Sequence, residues 1–214
     1  MTDAPEFVRE IRINPVDPTE SVLVSTARGM RPRRAEERVE RDTRERVETC
    51  PFCRGNEDKT PPTIKAYPSA RDWQIRIVEN LFPVLGDDRQ QSNIAFGLQQ
   101  VIDGYGRHEV VIDHPNHAIG LHDMGREHLA NLFLTYQERM AEMYAADPRL
   151  RYVLVFKNFG PAAGASIPHT HSQIIATPVV PENVQGEVFH SRNHYRKYNQ
   201  CVFCSLIEEA LTFE

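Results

Sequence analysis

The sequence predicts an α+β fold, an antiparallel sheet with one long helix packed on one of its faces. Three observations predict it. Five short apolar segments have strand composition, one long segment between the third and fourth repeats its apolar residues at helical spacing, and the last strand brings a histidine-rich motif back to the others.

In chain order the strand segments are Ser21 to Val24, Gln74 to Val78, Glu109 to Ile112, Tyr152 to Phe156 and Ser172 to Ala176. Each is a short apolar run rich in β-branched residues. Between the third and fourth, Leu129, Leu132, Phe133, Tyr136, Met140, Met143 and Tyr144 recur at intervals of three and four, from about Gly125 to Ala146. That period places them on one core-facing stripe of a helix, which Asp147-Pro148 ends. The run from Ala35 to Glu48 is almost all Glu and Arg with few apolar anchors, so an exposed loop or short surface helix with no catalytic part is expected there.

A chain of 214 residues with 40% hydrophobic residues can bury a substantial core, and one folded unit of about 180 residues fits the usual domain range. The net charge of -5 and a pI near 6.0 give no support for a nucleic-acid partner. No segment approaches the roughly 20 apolar residues that span a bilayer, and the polar N-terminus has no signal-peptide core. The expectation is a cytoplasmic protein with no membrane partner. Four cysteines in two CxxC pairs suit metal sites in a reducing compartment better than a disulfide framework. Arg28, Arg31, Arg33 and Arg34 form a basic cluster suited to phosphates, although Arg33 and Arg34 read equally well as a solvated arm.

The chemistry concentrates at Gly164-Ala165-Ser166-Ile167-Pro168-His169-Thr170-His171-Ser172-Gln173. Side chains two apart on an extended chain share a face, so His169, His171 and Gln173 are expected to line one surface. The turn before them is built of small residues that let a charged ligand approach the backbone. Taken alone, the motif also reads as two half-exposed histidines on an edge strand. Cys50-Pro51-Phe52-Cys53 is the independent second signal, because two thiolates at this spacing grip one tetrahedral metal that two histidines complete. Buried thiols or a redox pair are the alternatives. A redox pair opens a helix after a strand, whereas Arg54-Gly55-Asn56 and then Pro61-Pro62 follow here, as in a knuckle. His117, just past the strand ending at Ile112, is the best third ligand, with His108 and His114 as rivals; His169 is the fourth.

These residues carry a resemblance that runs along nearly all of the chain. Asn14-Pro15 through Ser25, Arg28 with Arg31-Pro32, Cys50-Pro51-Phe52-Cys53-Arg54-Gly55-Asn56, Asn80-Leu81-Phe82-Pro83, His114-Pro115-Asn116-His117, Phe156-Lys157-Asn158 and Gly164 to Gln173 together resemble the N-terminal half of galactose-1-phosphate uridylyltransferases, a branch of the histidine triad superfamily. The resemblance implies a histidine-triad-like half-barrel. It also implies uridylyl transfer between UDP-glucose and a hexose 1-phosphate through a covalent nucleotidyl-histidine. On that pattern His171 is the nucleophile and Gln173 assists it. Arg28, Arg31, Asn80, Phe82, Asn158 and Ser166 bind substrate. Cys50, Cys53, His117 and His169 hold a structural zinc, and a homodimer is the expected assembly.

The chain departs from the pattern in two places. Thr170 and Ser172 stand where many uridylyltransferases have proline and glycine, and both point away from the reactive face. Leu81 stands where those enzymes often have an aspartate near the nucleoside, a style closer to ADP-glucose phosphorylases. Adenylyl transfer is therefore the alternative reading. A histidine triad hydrolase is a second alternative, less well matched because Gln173 occupies the third histidine's place and no imidazole remains there to protonate a poor leaving group. A zinc-binding interaction module without catalysis fits least, since it has no need of the Ser166 to Gln173 turn.

Cys201-Val202-Phe203-Cys204 repeats the knuckle spacing before a helix begins at Ser205. It reads as a helix start with buried thiols, as part of an all-thiolate site with Cys50 and Cys53, or, following the resemblance, as the opening of a second related domain. The last reading divides the chain into a nucleotidyltransferase domain, 1–195, and a truncated start of the second, 196–214.

Overall fold

The structure, a computed structural model, describes residues 9–26, 42–88 and 93–212. Arg28, Arg31, Arg33 and Arg34 lie outside them. The elements in chain order are β1 (Arg9–Ile13), β2 (Ser21–Ser25), β3 (Thr63–Tyr67), β4 (Ile75–Glu79), β5 (Asn93–Phe96), β6 (Gln99–Ile102), β7 (Arg107–Ile112), α1 (Arg126–Ala146), β8 (Tyr152–Phe156), β9 (His171–Thr177), α2 (Glu182–Tyr198) and α3 (Val202–Thr212). Two compact units result: Glu40–Val179, and the segments on either side of it.

The central unit is the predicted α+β fold. Its sheet has the order β3-β4-β7-β9-β8, antiparallel throughout and open at both edges. Four of the five predicted strands lie in it. The fifth, at Ser21 to Val24, pairs instead with β1 in a separate hairpin, and β3 takes the edge. β3 escaped prediction because Lys65 interrupts its apolar character and a register irregularity falls between Thr63 and Lys65. Such features suit an edge strand, whose outer backbone is unpaired.

Strand alternation divides the core in two. Ile75, Ile77, Val111, Val153, Ile174 and Ala176 face α1 and pack on Leu132, Tyr136 and Met143. Phe133 and Tyr144, expected in the same helical stripe, are exposed. The stripe on α1 is narrower than seven residues because one helix covers only part of the sheet. The other face was expected to be bare and is not: Trp73, Val78, Val110 and Ile112 pack there against Cys50, Phe52 and Cys53. At Gly106, φ is +151° and a Cβ would fall 2.1 Å from the Ala176 carbonyl oxygen, so only glycine lets β7 begin this close to β9.

The segment Ala35 to Glu48, where it is described from Asp42 onward, is the largely exposed loop that was expected, but it also closes over the knuckle. Glu45 O accepts from the His117 backbone N–H at 2.8 Å, Val47 N–H points to Cys53 Sγ at 3.4 Å, and Val47 packs into the knuckle-side core. The charged residues alternate with a few that close over the cysteines, which composition averages away.

In the other unit, Asp17 is buried in the hairpin turn, accepts from Thr19 N and Oγ1, and faces His190 of α2 at 3.4 Å. Helix α2 had no apolar stripe to announce it, and none of its residues is buried. Cys201 and Cys204, at the start of α3, are exposed, which removes the buried-thiol reading of that pair.

Candidate active site and metal centre

The knuckle is a tight turn. Cys53 N–H donates to Cys50 O and Asn56 N–H to Cys53 O, while the Asn56 side chain donates to Cys50 O at 2.7 Å and Gly55 takes φ +89°. It presents both thiols to two buried imidazoles. His169 Nδ1 lies 3.7 Å from Cys50 Sγ and 3.6 Å from Cys53 Sγ, and His117 Nδ1 lies 3.5 Å from Cys53 Sγ. All four candidate ligand atoms fall within 4.8 Å of one another. A tetrahedral zinc, with Zn–S of about 2.3 Å and Zn–N of about 2.0 Å, places sulfur and nitrogen ligands about 3.5 Å apart.

The tautomers suit a cation as well. His169 Nε2 donates to His114 O at 2.7 Å, so Nδ1 turns its lone pair to the thiols. His117 Nε2 faces Asp42 Oδ2 at 3.5 Å, which leaves its Nδ1 likewise directed inward. A carboxylate or carbonyl behind each ligating imidazole is the usual outer partner of a metal site. Burial pushes the His169 imidazole down to about 4 and the Cys50 thiol up to about 11. The imidazole is thereby neutral and competent to ligate, and a bound dication supplies the charge that a buried thiolate needs. The cluster can therefore hold a metal. His108 and His114, the rival third ligands, lie elsewhere: His108 bonds Gln173, and His114 contributes its carbonyl.

His171 opens β9, but His169 does not share its surface as expected. Only residues from His171 onward are strand, and His169, fully buried, turns into the cysteine cluster. His171 and Gln173 line a cleft with Phe52, Asn80, Phe82 and Ser166. His171 Nδ1 donates to the His169 carbonyl at 2.8 Å, so Nε2 keeps its lone pair. Burial lowers the pKa of His171, which keeps this imidazole neutral near pH 7. Phe52 presents an edge contact to the ring at 5.2 Å between centroids. Gly164, with φ +84°, turns the small-residue loop along the cleft wall. Asn158, half-buried just past β8, is not among the residues that line the cleft.

Sequence reading missed the group behind His171. Lys157 Nζ donates to Asp113 Oδ2 at 2.7 Å, to Thr170 Oγ1 at 2.7 Å and to the His171 carbonyl at 2.9 Å. The Tyr136 hydroxyl lies 3.0 Å from Asp113 Oδ1 and 2.7 Å from Ser172 Oγ, and Ser172 Oγ donates to Asp113 Oδ2 at 3.0 Å. Thr170 and Ser172 do point away from the reactive face. They are part of the frame that holds it. The one available signal was Lys157, a lysine directly after an apolar strand.

Comparison with known proteins gives the family. The family described as galactose-1-phosphate uridyl transferase, N-terminal domain, matches residues 2–181. An ADP-glucose phosphorylase of Arabidopsis thaliana is 32% identical over 198 residues, 91% of this chain and 56% of its own. A galactose-1-phosphate uridylyltransferase of Thermotoga maritima is 27% identical over 93% of this chain and 56% of its own. The crystal structure of an Arabidopsis thaliana ADP-glucose phosphorylase with bound ADP-glucose superposes with a TM-score of 0.72 at 30% identity, covering 92% of this chain and 58% of that one. The chain thus spans a little over half the length of the relatives it matches. With the family matched along most of its length and the cysteine, histidine and glutamine positions gathered at one end of its sheet, the chain belongs to the galactose-1-phosphate uridyl transferase family.

Proposed function

We propose that the cleft carries out nucleotidyl transfer between a nucleotide sugar and a hexose 1-phosphate, with His171 as the covalent carrier. The observation that supports this most is the His171 tautomer: a neutral ring whose Nδ1 is tied to the His169 carbonyl and whose Nε2 lone pair is available at the cleft. In the first displacement Nε2 bonds the α-phosphorus, and the bond from that phosphorus to the bridging oxygen breaks with its electron pair. The leaving hexose 1-phosphate departs as a stable anion. No proton donor is required, which suits an uncharged amide at Gln173 better than an imidazole. The incoming sugar phosphate, or inorganic phosphate in a phosphorylase, reverses the step.

Cys50, Cys53, His117 and His169 hold a zinc on this reading. Four protein ligands leave no position for substrate or water, so the metal is structural and fixes the turn from which His171 projects. Arg28 and Arg31 are assigned to the phosphates, and the start of a second related domain to 196–214. Adenylyl transfer is supported by the relative at 32% identity and by the apolar rim at Leu81 and Phe82. Uridylyl transfer is supported by the family description.

Intact-mass measurement after separate incubation with ADP-glucose and UDP-glucose tests the proposal. An added AMP or UMP that is acid-labile and absent in His171→Ala is expected. A label on serine or lysine, or no adduct from either donor, would overturn it.

A further inference from the structure

His108 lies on β7, opposite Ile175 and diagonal to Gln173 on β9, and does not belong to the cysteine–histidine cluster. Its two ring nitrogens are used differently. The backbone N–H of Val84 donates to Nδ1 at 3.2 Å. A main-chain amide can only donate, so Nδ1 carries no hydrogen and the ring proton sits on Nε2. Nε2 lies 2.8 Å from Gln173 Oε1, an acceptor correctly disposed for that single hydrogen. The Asn80 amide nitrogen is 3.0 Å from the same Nε2, but its oxygen is already turned to the Phe82 N–H at 2.9 Å, and a protonated Nε2 has no lone pair to offer it. The bond that forms is His108 to Gln173.

The consequence reaches the cleft. An amide side chain has two chemically opposite ends, and holding its oxygen on His108 obliges its NH2 to face the other way. We infer that His108 is the positioning residue of this site, fixing Gln173 so that its NH2 faces the transferring phosphoryl group. This rests on the nucleotidyl-transfer reading above. Without the bond, Gln173 can rotate and offer its oxygen to an anionic group, where two partial negative charges oppose each other. The loop that carries Asn80 and Phe82 meets the same residue, through Asn80 N–H to the His108 main-chain carbonyl at 3.0 Å and Val84 N–H to the His108 ring.

Two measurements test the assignment. Long-range nitrogen–proton NMR of the His108 ring is expected to show a protonated Nε2 and a bare Nδ1; the opposite tautomer or an imidazolium overturns it. Pre-steady-state adduct formation with ADP-glucose and with UDP-glucose gives the second. His108→Leu is expected to slow the chemical step about tenfold or more with the KM little changed. His108→Gln, whose amide nitrogen reaches the place of Nε2, is expected to restore most of the rate. In a Gln173→Ala background, His108→Leu is expected to cost nothing further. Equal losses in the Leu and Gln variants, or full additivity with Gln173→Ala, overturn positioning. If the unsubstituted protein forms no adduct, the functional reading fails, and the Gln173 side-chain amide resonances then decide. They should shift in His108→Leu and return in His108→Gln, and no shift in either sinks the inference.

Discussion

Strand β9 has two sides with opposite tasks. Toward the cleft, His171 and Gln173 each spend one polar atom on the protein, at the His169 carbonyl and at His108. Each has a second polar atom to offer a ligand. Toward α1, Ser172 enters a network in which Lys157, Asp113 and Tyr136 bond one another and the strand backbone. The difference shows how a cleft-facing residue is held in place. Its own side chain stays partly uncommitted while the residue next to it is bonded on the opposite face, where Asp113 is fully buried.

The comparison can be broken from either side. The largest effect is expected from His171→Ala, which should reduce nucleotidyl transfer by on the order of 10⁴-fold or more with a smaller loss of stability than the next two variants, since its ring is outside both the cysteine–histidine cluster and the α1 network. Cys50→Ser should do the reverse: metal content by mass spectrometry should fall, and stability should drop by about 4 kcal/mol or more as a buried cluster loses its cation. Lys157→Met strands the buried Asp113 charge and should cost about 3–5 kcal/mol in denaturant unfolding. Adding Asp113→Asn should recover much of that, because the cost lies in the unpaired carboxylate. A single Lys157→Met that unfolds like the parent protein would show that the α1 side is not a frame.

Smaller changes sharpen the picture. Tyr136→Phe removes a hydroxyl between Asp113 and Ser172 and is expected to cost about 1–2 kcal/mol, read by thermal unfolding, with the His171 adduct still forming. The smallest effect is expected from Cys201→Ser, within about 0.5 kcal/mol and with no change in metal content. These two CxxC pairs have the same spacing, yet one is buried with two imidazoles and the other is exposed. Spacing proposes a site; only the partners brought by the fold make one.

Legibility followed the strength of local pattern. The strands β4, β7, β8 and β9 and the helix α1 were readable because buried segments repeat apolar residues at periods of two or between three and four. β3, β5, β6 and α2 were not, because edge strands and exposed helices need no such repeat. Cys50, Cys53, His117 and His169 were legible as a cluster that could hold a metal. His108 stood only as a rival ligand, since nothing local distinguishes an imidazole that binds a metal from one that holds an amide.

The sequence by itself determined the fold class, the knuckle and the pairing of His171 with Gln173 on one face of the HxHxQ run, all carried by spacing within a few residues. Only the tertiary structure decided that His169 turns away from His171, that Asp42, Glu45 and Val47 close over the cysteines, and that Lys157, Asp113 and Tyr136 support the strand from behind. Those choices depend on contacts between residues far apart in the chain. A hydrogen bond or a ligand bond forms only when its two ends arrive in the right orientation, and no local period encodes that arrival.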